Sequence, residues 1–238
     1  NTLSNTYIEY LKERSPLAIE PIFVATQFMY GCAVVDLYYN PKLTRKSSGD
    51  IETLARNAIA AYNTQYLDDF NTQLRLSVLS AAIDNIDISV TSNDISVMPY
   101  IEYSPATNIS ANPSFKFVAK LIKPYPFDET RGFETYKPAI KTGVFSYNGA
   151  NVYLQDDGVG NIQIITSDVA NPKVVKPSIG TVNYNTGEVN LVGFITDGYV
   201  GSGIKFMAST AKNDITAPNG RIFTMKDLDV TINLIEMK

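Results

Sequence analysis

Histidine is absent from all 238 residues, which excludes any triad, dyad or metal site that needs an imidazole. Cysteine occurs once, at Cys32, so intramolecular disulfides, cysteine–zinc sites and iron–sulfur clusters are ruled out as well. With no base near it in the chain, Cys32 is expected as a small buried strand residue rather than a reactive thiol. Tryptophan is missing, which counts against a sugar-binding surface. There is no basic excess: the formal net charge of −4 gives no footprint for nucleic acid. The longest apolar run, from Ile22 to Val35, is interrupted by Thr26 and Gln27 and is too short to insert in a bilayer. No signal peptide is visible. The chain opens on Asn1 rather than methionine and is expected to be a piece of a longer polypeptide.

What remains is a globular composition, 45% hydrophobic and 18% charged, long enough for one large or two modest domains. Helical spacing is clearest in Ile51, Leu54, Ala55, Ala58, Ile59, Tyr62 and Tyr66, which share one face. Asp50 and Glu52 sit in the first turn, where negative charge suits the helix dipole, and Ser47 or Ser48 is placed as N-cap. A second, shorter helix follows through Leu76, Leu79, Ala82 and Ile83, with Asp68-Asp69 expected to cap it. Then the period changes to two, and Ile86 to Tyr103 reads as strand. Upstream, residues 2–14 read as a short helix with Thr6 and Glu9 at capping-box spacing, stopped by Pro16. The β-branched and aromatic segment from Ile19 to Tyr39 reads as two strands, or one strand with a bulge at Gly31. The expected class is α+β, with helices packed on a sheet in the first half and mostly antiparallel β in the second. The expected units are residues 1–104, an α+β region, and 113–238, a β-rich antiparallel region, with the small-residue stretch between Ser104 and Pro113 as the crossover.

In the second half, Phe115 to Ile122 reads as an edge strand with Lys116 and Lys120 outward, followed by a proline-rich charged loop over 123–138. Asn148-Gly149 predicts a type I′ hairpin, the residues 156–161 another turn, and 181–191 a hairpin with Gly187 at positive φ. Ile204 to Thr210 and Arg221 to Met225 are expected to pair across Asn219-Gly220, and Asp229 to Met237 to form the closing strand.

No residue is nominated as catalytic, cofactor-binding or metal-ligating. Asp68-Asp69 and Asp156-Asp157 are adjacent pairs that point apart, unlike the facing carboxylates of glycosidases, and fit a helix cap and a hairpin turn. Gly198 to Gly203 lacks the lysine and following helix of a phosphate loop and reads as a β-turn. Asp156, Asp157 and Asn161 lack the alternating oxygen ligands and closing glutamate of a calcium loop. Fifteen tyrosines favour contact surfaces, since tyrosine joins a large apolar ring to a polar tip. Charge is uneven. Asp50, Glu52, Asp68, Asp69, Asp84 and Asp87 outnumber Arg56 and Arg75, whereas Lys116, Lys120, Lys123, Arg131, Lys137 and Lys141 outnumber Asp128, Glu129 and Glu134. Either these are two solvated faces, or they meet between copies and set register.

The order of these segments carries a family likeness. The helix with Tyr10-Leu11 and Arg14, the hydrophobic strand, the long helix, then Phe70, Leu74 and the Ser-Val-Leu helix resemble the carboxyl-terminal part of baseplate J-like proteins of contractile-tailed phages. The stretch from Gly143 to Ile165, and above all Gly180 to Val189 (GTVNYNTGEV), is similar to the inner baseplate wedge protein of T-even-type phages, the product of gene six. The long β extension after Pro113 departs from the general family and favours that branch. The resemblance implies the carboxyl-terminal portion of a wedge subunit that forms homodimers, joins other wedge subunits, and links neighbouring wedges into the ring around the hub. It implies no catalysis, no cofactor and no metal, and a virion protein assembled in the bacterial cytoplasm without membrane insertion. The rival class is a β-rich receptor- or glycan-binding module; a glycan-cleaving enzyme using aspartates ranks last.

Overall fold

The computed structural model describes residue 10 and residues 27–237, apart from 71, 118, 134, 169, 213 and 217–220. The helix expected over 2–14 thus lies outside the described residues except for Tyr10, as do the expected strand residues before Gln27 and the Asn219-Gly220 turn. In chain order, β1 (Gln27–Tyr39) leads through α1 (Ser48–Tyr66), β2 (Gln73–Leu74) and α2 (Leu76–Asp84) to β3 (Val90–Tyr103). There follow β4 (Ser114–Lys116), β5 (Ile140–Thr142), β6 (Phe145–Tyr147), β7 (Ala150–Asp156), β8 (Asn161–Thr166) and β9 (Val174–Asn183). The last elements are β10 (Glu188–Leu191), β11 (Gly198–Tyr199), β12 (Ile204–Ala208), β13 (Ile215–Thr216) and β14 (Arg221–Glu236).

Twelve strands form one mixed sheet in the order β14-β1-β3-β12-β5-β7-β8-β9-β10-β4, with β6 and β11 branching from β7. The fold is therefore mostly β, which overturns the expected α+β class. A single sheet runs through both halves of the chain, and α1 and α2 cover only its β14-β1-β3 end. The physical reason is β14. Its pairing with β1 is parallel, setting Gln27–Gly31 beside Arg221–Met225 and Ala33–Tyr39 beside Val230–Glu236. The expected pairing of Ile204–Thr210 with Arg221–Met225 does not form: β12 lies instead between β3 and β5.

Local chemistry explains the elements that follow expectation. Ser47, not Ser48, caps α1: its hydroxyl accepts from Asp50 N–H at 3.2 Å while the Asp50 carboxylate accepts from Ser47 N–H at 2.9 Å. Ile51, Ala55, Ile59, Tyr62 and Asn63 form the buried face, and Tyr66 lies at its margin, 44% exposed with its ring 5.0 Å from that of Tyr62. Asp68-Asp69 does not cap α2, whose N-cap is Arg75 with no side-chain cap bond. The Tyr62 hydroxyl braces that end, accepting from Arg75 N–H at 2.9 Å and donating to Arg75 C=O at 3.2 Å. Asn148 and Gly149 have φ of 50° and 74°, as a type I′ turn requires, and Gly187 has φ 70°. The edge strand expected over Phe115–Ile122 shrinks to Ser114–Lys116; beyond it Leu121 and Ile122 donate to the Tyr184 and Ser209 carbonyls.

Two buried clusters line the sheet. In the first, Met29, Ala33, Val35, Leu37 and Tyr39 of β1 meet Ile51, Ala55, Ile59 and Tyr62 of α1 and Leu79 and Ile83 of α2. Phe223, Met225 and Val230 of β14 complete it. The second gathers Phe115, Phe145, Phe194 and Phe206 with the inward isoleucines of β8. There Gly180 sits where a Cβ would lie 2.2 Å from the Asn190 carbonyl oxygen and 2.9 Å from Leu191 Cα. Because both neighbours are backbone, Gly180→Ala is expected to lower stability by about 2 kcal/mol, by the cost of overpacking a filled site. Gly198→Ala, where nothing lies within 4 Å of an added Cβ, should stay within about 0.5 kcal/mol. Chemical denaturation of the two variants checks the contrast.

Candidate interaction surfaces

The Asp156-Asp157 pair serves as a fastening for the proline-rich loop. Period-two spacing already puts Asp156 on the inward side with Val152 and Leu154, and it is fully buried. Its carboxylate accepts from Ile140 N–H at 2.8 Å, Tyr184 O–H at 2.8 Å, Tyr136 O–H at 3.3 Å and Gly158 N–H at 3.3 Å. Burial pushes the Asp156 carboxyl up from the usual range, against the pull of those donors. Burial also pushes up both tyrosine hydroxyls, with the facing Asp156 charge adding to it. Asp157 points the other way. One of its oxygens accepts from the N–H groups of Val159, Gly160 and Asn161, and the other from the Asn161 amide. These lone pairs are spent on the turn rather than turned toward a cation, and among the described residues no cluster of three or more acidic or cysteine side chains is arranged to hold a metal. The loop itself passes close, with Phe127 N–H donating to Asp157 C=O at 2.8 Å and Phe127, Phe133 and Tyr136 in ring contact.

A second polar node, unforeseen in the sequence, lies where β14 bulges. Opposite Gly31–Ala33 the register jumps from Met225 to Val230, leaving residues 226–229 outside the ladder. The Asp229 carboxylate, buried, accepts from Tyr100 O–H on β3 at 2.5 Å and forms an ion pair with Lys205 on β12. Lys226 lies 3.8 Å from the centroid of the Tyr30 ring, which stacks on Tyr100. From the helix side, Arg56 reaches Asp227 and the Val230 carbonyl, and buried Asn63 bonds both backbone groups of Met225. Leu228, at the bulge tip, is 95% exposed. Asn63 was legible in principle, since it falls one turn beyond Ile59 on the apolar face. Cys32 sits under the bulge, half-buried rather than buried, with its thiol pushed up by burial and then by Asp229.

The helices cover one face of β1. On the opposite face lie Phe28, Tyr30, Val34 and Tyr38, from exposed to half-buried, beside Met98 of β3 and Ile222 and Ile235 of β14. This is a tyrosine-bearing, mixed apolar sheet face of the kind contact surfaces use. Elsewhere, Gly198 and Tyr199 form β11 and Val200 stands out in solvent, so that glycine-rich stretch is a strand and turn. A cleft of about 740 Å³ opens beside Lys120 and Lys123 against β9 and β10. It adjoins a recess of about 690 Å³ walled by Pro124, Tyr125, Pro126 and Tyr136. No helix among the described residues is long and apolar enough to cross a membrane.

Residues 27–98 match the family model described as baseplate structural protein gp6, C-terminal domain III. That segment runs from β1 through both helices into β3, and over it the chain is similar to a domain of a baseplate structural protein. No curated protein matches the chain.

Asp156→Ala would strand the Ile140 N–H and two tyrosine hydroxyls in the interior. It is expected to cost about 3 kcal/mol, the scale of leaving buried donors unpaired. A denaturant midpoint checks it, and an unchanged midpoint would contradict the fastening role.

Proposed function

We propose that this chain is the carboxyl-terminal part of a baseplate wedge subunit that pairs with a second copy, contacts other wedge subunits, and helps join neighbouring wedges into the ring around the hub. The match of residues 27–98 to the gp6 domain is the observation that carries this reading. The open face of β1, β3 and β14 supports it, because its tyrosines and aliphatic side chains offer contact area outside the two cores. In this reading the chain does no bond-making chemistry and binds neither nucleic acid nor membrane; it joins the virion tail after assembly in the host cytoplasm. During contraction it moves as a rigid body, since a sheet continuous through both cores favours displacement between subunits over rearrangement within one.

Two measurements test this. Sedimentation velocity should show the chain self-associating as its concentration rises; a strictly monomeric species at about 100 μM, where even a weak dimer is populated, would contradict it. Structures of the ring before and after contraction should superpose on this chain's main-chain atoms within about 1 Å. A break in the β1–β14 pairing between the two states would overturn rigid-body motion.

A further inference from the structure

We infer that the turn Tyr66–Phe70 of one copy docks head-to-tail into the cleft beside Lys120 and Lys123 of a second copy. This rests on the self-association proposed above and specifies one contact that produces it.

The receiving side is net basic on an acidic protein, with Lys120, Lys123, Arg131 and Lys137 lining it against Glu188 and Asp128. Lys120, Lys123 and Lys137 are exposed and form no ion pair among the described residues. The cleft and its neighbour share Ile122 and Lys123, so ammonium groups stand beside the apolar walls of Pro124, Tyr125 and Pro126. Tyr125 is 84% exposed, an unusual position for so large a ring.

The inserting side has matching chemistry. Tyr66 and Phe70 are 44% and 48% exposed and bracket Asp68 and Asp69, both exposed and in no ion pair among the described residues. The turn is held in shape before any contact. Leu67 is fully buried, and the Asp68 N–H donates to Asn63 C=O at 3.1 Å. The Thr72 hydroxyl bridges the carbonyls of Leu67 and Asp69 at 3.1 Å each. A braced turn loses little freedom on docking, which favours affinity. Two carboxylates between two aromatic rings thus face two ammonium groups beside proline and tyrosine.

The turn belongs to the first core and the cleft to the second, so this contact is not self-complementary. Repeated from copy to copy it builds a ring or an open chain, unlike a two-fold pair. Its rim charges make it sensitive to salt.

The test uses the whole chain and two neutralised variants, Asp68→Asn/Asp69→Asn and Lys120→Ala/Lys123→Ala, all changes at exposed side chains. Each variant alone is expected to self-associate at least about tenfold more weakly than the unaltered chain, with its circular dichroism unchanged. Mixed in equal amounts, they should recover one productive contact, an intact turn in an intact cleft, and give a one-to-one heterodimer that grows no further. Raising salt from about 0.05 M to 0.5 M should weaken the unaltered chain's association by a similar factor. If the unaltered chain associates and neither variant nor salt changes it, the docking is wrong while self-association stands. A mixture that stays monomeric also overturns the docking. An unaltered chain that never associates sinks both readings.

Discussion

The parallel seam between β1 and β14 is the constraint on which the rest of this structure depends. It joins residues nearly two hundred positions apart, and loop closure over that distance is unfavourable unless many contacts form together. Those contacts come from both faces. Phe223, Met225 and Val230 enter the helix-side core, while Asp229 crosses to Tyr100 and Lys205 on the strands beyond β1. Truncating Asp229 alone would leave a buried hydroxyl and a cation without their partner, which is how such nodes enforce one register. The bulge is thus less a defect in pairing than the point at which β14 is fixed to the sheet.

Local features were readable in the sequence because their causes are local. Asn148 with Gly149, and Gly187, each signal a backbone geometry that their own side chains, or the lack of one, determine, and the N-cap of α1 was narrowed to Ser47 or Ser48. The amphipathic spacing of α1 was equally plain, with Tyr66 at the margin of the buried face against Tyr62. What stayed hidden was pairing at a distance. Arg221–Met225 has the alternation of a strand but nothing in it names β1 as its partner, and the nearest candidate in sequence, β12, was the wrong one. The fold class failed for the same reason. A strong helical signal over residues 48–84 weighed more than strands whose shared membership in one sheet no periodicity can show.

The polar residues tell a similar story. Asp156, Asp157 and Asp229 look in sequence like candidates for chemistry or for solvent, yet each is buried and directed at backbone N–H groups, tyrosine hydroxyls or a lysine. Tyrosine turns out to divide its work. Tyr62, Tyr100, Tyr136 and Tyr184 use their hydroxyls to brace the interior, whereas Tyr30, Tyr38, Tyr66 and Tyr125 present ring surface outward. Composition alone cannot separate those roles, because both exploit the same pairing of apolar ring and polar tip.

Because β1 and β14 run in the same direction, Gln27 and Glu236 lie at opposite ends of the seam. Tension applied to the chain at those two points would drag the strands past each other along their length, loading the hydrogen bonds between them together rather than peeling them one at a time. Forced rupture is governed by the barrier to unfolding, and a joint strained in this direction must lose most of its bonds and the bulge anchorage in one step. In a machine that transmits a stroke, such a seam would behave as a lap joint, stiff along its length and weak only to a pull from the side.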